Sequence, residues 1–158
     1  MTKNIFRICT ILALSFAAWQ TSLSAQDEHT IKGTWAVAVT VVNCQTGAPI
    51  RTVHSLQLFS RDGSFSETAN TFLRGSSVGV WDQTADHTYK ALYWFFRYNA
   101  DGSFASTAKA VDSITMSDDG TTFTASGTIQ DFNANNQSIS IGCFTHAATR
   151  LSGPGLVP

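Results

Sequence analysis

The stretch between Tyr89 and Tyr98 carries an unusual density of aromatic side chains: Tyr89, Tyr93, Trp94, Phe95, Phe96 and Tyr98, with Arg97 among them. In an extended strand successive side chains alternate between two faces. Leu92, Trp94, Phe96 and Tyr98 then share one face, and Tyr89, Ala91, Tyr93, Phe95 and Arg97 share the other. Such a strand is either an ordinary core face with a partner or loop covering its back, or the wall of a small-molecule pocket. Pockets combine aromatic area with a few polar tips. An inward Arg97 could hold a carboxylate by a charge-assisted pair of hydrogen bonds. Glu67 lies in an extended stretch between Ser66 and Thr68. It is either a solvated strand residue or an inward carboxylate with a raised pKa, which would make it a candidate acid or base. Asp112 is open to the same two readings.

Four histidines follow the N-terminal leader: His29, His54, His87 and His146. They show neither HxH nor HExxH spacing, so no metal site is expected. His54 and His146 fall in mid-strand and join Glu67, Tyr93, Phe95 and Arg97 as candidate ligand-binding residues, with hydrogen-bonded structural histidines as the plainer reading. There is no Gly-x-Ser-x-Gly nucleophile elbow and no phosphate-binding glycine loop. No cofactor is expected.

These residues need a scaffold. The chain has 158 residues, and its start has the three parts of a secretory signal. Lys3 and Arg7 are basic, Ile8 to Trp19 is apolar, and small residues at Ser22, Ser24 and Ala25 suit cleavage near Ala25. The apolar part is too short to span a bilayer well. The expected division is a signal peptide over 1–25 and one domain over 26–158, loose from about 153. The expected location is secreted or periplasmic. Of the chain's ten basic residues against eleven acidic ones, Lys3 and Arg7 leave with the signal. The remaining charges are scattered without a basic stripe, so neither nucleic acid nor stable membrane insertion is expected. Cys44 and Cys143 remain. In an oxidising compartment two such cysteines usually pair, the alternative being a reactive or metal-binding thiol pair.

Turn residues punctuate the rest. Gln45-Thr46-Gly47-Ala48-Pro49, Arg61-Asp62-Gly63-Ser64, Asn99-Ala100-Asp101-Gly102, Asp118-Asp119-Gly120 and Asn133-Ala134-Asn135-Asn136 separate runs rich in β-formers. Eight strands are expected: Thr34–Cys44, Thr52–Ser60, Ser64–Thr71, Val78–Thr84, Tyr89–Asn99, Ser103–Ser117, Thr121–Phe132 and Gln137–Arg150. The expected fold is all-β, an eight-stranded antiparallel up-and-down barrel, because closure removes the exposed edges of a meander. A bridge between Cys44 and Cys143 would join the first strand to the last and supports closure.

Gly33-Thr34-Trp35 opening the first strand and Arg150 ending the last resemble the calycin superfamily, which includes the lipocalins. The resemblance implies that Trp35 packs beneath Arg150, with Gly33 and Trp35 structural. Parity agrees: an inward Trp35 makes Cys44 outward, an outward Cys143 makes His146 and Arg150 inward, and Ile139 and Ile141 then need a bulge or a cover. Asn43 to Pro49, Gly63 to Thr68, Gly79-Val80-Trp81 and Gly142 to Arg150 are also similar to secreted bacterial lipocalin-like proteins, a likeness that implies no activity. Trp81, like Trp35, reads as a packing anchor two residues after a glycine. Avidins too begin with Gly-Thr-Trp, but Ala36-Val37-Ala38-Val39 lacks their polar first strand, so biotin binding is not expected. The functional expectation is a barrel holding a small apolar or amphipathic molecule. The alternatives are a barrel enzyme of isomerase or cyclase type, and a structural or interaction protein with a filled barrel.

Overall fold

The computed structural model describes residues 29–151. The leader, its cleavage site and the tail from about 153 lie outside the described residues. Eight strands form one closed barrel in chain order: β1 (Gly33–Val42), β2 (Pro49–Phe59), β3 (Ser64–Ala69), β4 (Ser77–Ala85), β5 (Thr88–Tyr98), β6 (Phe104–Met116), β7 (Thr122–Phe132) and β8 (Ser138–Arg150). Every neighbouring pair is antiparallel, and β1 closes the barrel on β8, from Trp35↔Arg150 to Val42↔Cys143. Among the described residues there is no helix. The first strand stops two residues short of Cys44, because Asn43 caps the turn: its side-chain oxygen accepts from the Gln45 and Thr46 amides. Cys44 and Cys143 form a disulfide with 5.2 Å between their Cα atoms.

Alternation sorts the side chains. Trp35, Val37 and Val39 face inward on β1, as do Tyr89, Ala91, Tyr93 and Phe95 on β5 and Phe144, His146 and Ala148 on β8. Trp94 and Phe96 face outward, where Trp94 meets Phe132 and Phe96 meets Phe104. Ile139 and Ile141 are exposed, and the β7–β8 register shifts beside Ile139 between Asp131 and Phe132.

One end of the barrel is shut. Ile31 is fully buried there, and its carbonyl accepts from the Trp35 indole N–H at 2.8 Å. The Arg150 guanidinium lies 4.3 Å over the Trp35 ring. It donates to the carbonyls of Gly120 and Lys32 and to that of Thr30. Gly33 has φ 122°, and a Cβ there would sit 3.0 Å from an Arg150 nitrogen, so the position needs glycine. Above Trp35, the rings of Phe123, Phe59 and Phe65 pack edge to face. Trp81 closes the flank against Phe59 and Tyr89, and its N–H donates to the Ser60 carbonyl at 3.0 Å. Gly33, Trp35, Trp81 and Arg150 are thus packing and capping residues.

Candidate functional site

The opposite end carries a mouth. Residues 70–76 cross from β3 to β4 and hook onto the end of β5: Gly75 N–H donates to Phe96 O, and Tyr98 N–H to Leu73 O, each at 2.9 Å. This strap drops Leu73 and Arg74 over the opening. A pocket of about 200 Å³ lies there. Val39, Val41, Val53, Leu73, Phe95 and Ile129 form its apolar wall, and Arg51, Arg74 and Arg97 its cationic part. Phe95 and Arg74 make the floor, with the guanidinium 3.7 Å over the ring. Arg97 approaches the same ring at 5.1 Å. Its Nε donates to Asp131 Oδ1 at 2.6 Å, and Ser140 donates to the other oxygen of Asp131 at 2.8 Å. Arg97 therefore faces the pocket already held by a carboxylate of the protein.

Below this floor the interior turns polar. Gln57, Glu67 and Ser77 pair in register across β2, β3 and β4, all pointing inward. Arg74 Nη2 donates to Glu67 Oε2 at 2.5 Å and also to Ser77. The Ser77 hydroxyl donates to the same Glu67 oxygen at 2.8 Å. The side chains are nearly sealed, at 9% exposure for Arg74 and 1% for Glu67. Burial pushes the Glu67 carboxyl up, but the Arg74 charge and the Ser77 hydroxyl outweigh it and hold the group below its ordinary value. Neither sequence reading of Glu67 holds as given: it is buried and inward where a solvated strand residue is the plainer reading, and its carboxyl is lowered where the inward alternative has it raised, because it is a paired carboxylate. It is poorly suited to accept a proton while Arg74 stays in place.

The raised carboxyl is Asp112. Burial and the negative charge of Glu67 push it well above the ordinary range. Tyr93 donates to Asp112 Oδ1 at 3.3 Å, and His146 Nδ1 stands 3.4 Å from Oδ2. Burial lowers His146 to about 4, so its ring is neutral at neutral pH. Its ring stacks on Phe144 with centroids 4.9 Å apart. The Tyr93 hydroxyl is itself raised by burial and by the nearby carboxylates. Gly79 makes this arrangement possible: a Cβ there would meet Leu92 O at 2.1 Å and Tyr93 Cβ at 2.5 Å.

The structure thus gathers Glu67, Tyr93, Asp112 and His146 in one interior layer, with Phe95 and Arg97 in the mouth above it. His54 does not join them. It lies exposed on the outer wall, because β2 turns Ser55 and Gln57 inward. There it lines a separate surface pocket with Ala38, Leu56, Asn70 and Ala147, apart from the mouth. Arg74, Ser77, Gln57 and Ser55 are the residues that sequence reasoning missed. Arg74 lies in an irregular segment where periodicity gives no direction. The signal for Ser55 and Gln57 was an inverted pattern, with Leu56 and Leu58 on the opposite face. Among the described residues no group of acidic, cysteine and histidine side chains could hold a metal ion. No protein-family model matches the chain, and no curated protein is similar to it in sequence.

Proposed function

We propose that this protein is an exported, calycin-like barrel that binds a small apolar or amphipathic molecule at its mouth. The observation that carries the reading is the open pocket walled by Val39, Val41, Val53, Leu73, Phe95 and Ile129, with Arg74 and Arg97 beside the apolar surface. The stack of Arg150 on Trp35 supports the calycin reading, and the disulfide supports an oxidising compartment. At about 200 Å³ the pocket is smaller than the roughly 300–1,000 Å³ of sites that enclose drug-sized ligands. It suits a compact molecule, or one end of a longer one whose anionic group meets Arg51, since Arg74 and Arg97 are already paired with Glu67 and Asp131.

The test is native mass spectrometry of protein purified from its own host, beside a Val53→Trp variant that fills the pocket. An adduct of a few hundred daltons on the first and not the second, with near-ultraviolet circular dichroism preserved, is the expected result. A clean mass, with no shift in the Leu73 and Val53 methyl resonances on adding fatty acids or aromatic carboxylates, refutes the reading.

A second reading, a barrel enzyme moving a proton, draws on one observation. Asp112, a buried carboxyl pushed well above its ordinary range, faces the neutral His146 ring at 3.4 Å, an arrangement of the kind that passes a proton. Turnover abolished in Asp112→Asn with ligand binding retained is its mark; an unchanged rate removes Asp112 from the chemistry. The filled-barrel reading accounts for the packed layers from Trp35 to Phe65, but gives no role to the open mouth.

A further inference from the structure

We propose that the polar layer beneath the mouth is a second, enclosed site that holds a neutral hydrogen-bonding guest, with Ser55, Gln57, Arg74, Asp112 and His146 as its ligands. The proposal does not depend on the mouth binding anything.

The observation is a concentration of unmet polar atoms. Ser55 Oγ, Gln57 Oε1, Arg74 Nε, Asp112 Oδ2 and both ring nitrogens of His146 are buried without a well-formed hydrogen bond among the described residues. His146 Nδ1 and Asp112 Oδ2 face each other at 3.4 Å, and Ser55 stands close enough to Glu67 to lower its carboxyl, so Gln57 Oε1, Arg74 Nε and His146 Nε2 are the atoms with nothing opposite them. Buried polar atoms in folded proteins are nearly always paired, because each one left unpaired keeps its full desolvation cost. Here they surround one group. Gln57 and Arg74 both bond Glu67, and the charge of Glu67 reaches Asp112 and His146. The wall beside them is built from short side chains. Ala91 is a register partner of Asp112, Ala125 that of His146, and Ala110 that of Tyr93; at Gly127, the other partner of Asp112, the space is taken by Phe144.

The chemistry of the guest follows from the unmet atoms. Arg74 Nε donates. Tyr93 donates to Asp112 Oδ1, which leaves Oδ2 to accept, or to donate when the carboxyl is protonated. Gln57 Oε1 accepts, Ser55 can do either, and a neutral imidazole offers one donor and one acceptor. The guest must therefore both accept and donate. It must also be uncharged: the Glu67 and Arg74 charges already cancel, and an added ion would stand buried without a counter-charge. Water is the smallest such guest, and buried waters typically make about three hydrogen bonds each. A hydroxyl or amide of an organic molecule has the same chemistry.

The test uses the intact, oxidised protein. Rotating-frame Overhauser spectra are recorded between the His146 ring protons and water, with oxygen-17 relaxation dispersion for residence time and native mass spectra on the same sample. Water cross-peaks at His146 with a dispersion step and a clean mass support the site, with water as guest. An adduct whose cross-peaks reach the His146 ring supports it with an organic guest. The proposal is overturned if His146 shows no cross-peak to water or guest and is instead hydrogen-bonded directly to Asp112. It is overturned equally if adduct contacts stop at Leu73 and Val53 while His146 stays dry.

Discussion

Replacing Arg74 with methionine keeps most of the apolar stem over Phe95 and deletes the charge. The loss can be worked from the geometry. Glu67 is 1% exposed and takes its strongest contact, at 2.5 Å, from Arg74. Removing one member of a buried ion pair typically costs about 3–5 kcal/mol, because the other charge is stranded. Arg74→Met should therefore lower the urea unfolding free energy by that amount with the disulfide intact. Changing Glu67→Gln as well should return roughly half or more of it, since glutamine keeps hydrogen bonds to Ser77 and Gln57 without a charge. The pH dependence should change sign. In the parent the Glu67 carboxyl sits below its ordinary 4.5. Its contribution is present above that value and lost as pH falls through the lower folded value. In Arg74→Met, burial, the largest influence on Glu67, is opposed only by the Ser77 and Ser55 hydroxyls and a weak His146 contribution; the folded pKa rises above 4.5, and the variant loses stability as pH climbs from there. Arg74 also acts on Asp112 and His146, so the same difference curve measured in an Asp112→Asn, His146→Leu background isolates Glu67. A loss below about 1 kcal/mol with an unchanged pH slope would mean that Glu67 is well hydrated, and would refute the buried pair.

Asp112 and His146 should oppose one another between pH 4 and 6.5. His146, at about 4 when folded against 6.5 ordinarily, removes up to about 3 kcal/mol as pH falls through that window, while Asp112 removes stability as pH rises from 3.8. Asp112→Asn should expose the first slope and His146→Leu the second, and parallel unfolding curves for the two variants would contradict the assignment. Replacing Cys44 and Cys143 with serine opens a loop spanning 99 positions; the expected loss in urea is about 2–5 kcal/mol, and an unchanged midpoint would deny the bridge a stabilising role. Gly79→Ala should cost about 3 kcal/mol or more through its clash with Leu92 O and Tyr93 Cβ, with the near-ultraviolet Tyr93 signal disturbed. A fully tolerated alanine there would mean that β4 and β5 stand further apart.

Much of the scaffold is legible in the residue order, because turns declare themselves. The Asp-Gly pairs and the Asn43 turn bound strands whose β-formers leave little choice, and parity from Trp35 to Cys44 and from Cys143 to Arg150 orients both strands of the closing seam. The inward face of β5 follows in the same way. The polar interior is harder to see. Alternation on β2 favours Leu56 and Leu58 inside, yet the barrel turns Ser55 and Gln57 in and leaves Leu56 half exposed. A strand that runs against its hydrophobic pattern is a mark of a specialised interior, but one sequence cannot separate that from a register error. Arg74 is invisible for another reason. Its direction is set by strap hydrogen bonds to the end of β5, contacts between segments more than twenty residues apart. Without Arg74 in place, the sign of the Glu67 shift cannot be read.

The seam between β1 and β8 is riveted twice, by the disulfide at the mouth end and by Arg150 clamping Thr30, Lys32 and Gly120 at the shut end. A barrel so fastened cannot breathe there. The give must come where the ladder is shortest. The third strand has six residues and pairs with only four of β4, Ser64 to Glu67, before the strap begins. Local opening takes the least protected pairing first, so amide hydrogens of Thr68 and Ala69 should exchange well before those of Val37 to Thr40. A hinge in that place would loosen the strap, and with it Arg74, without breaking the covalent ring. Passage into the barrel would then run through the flank beside β3 and leave the stapled side undisturbed.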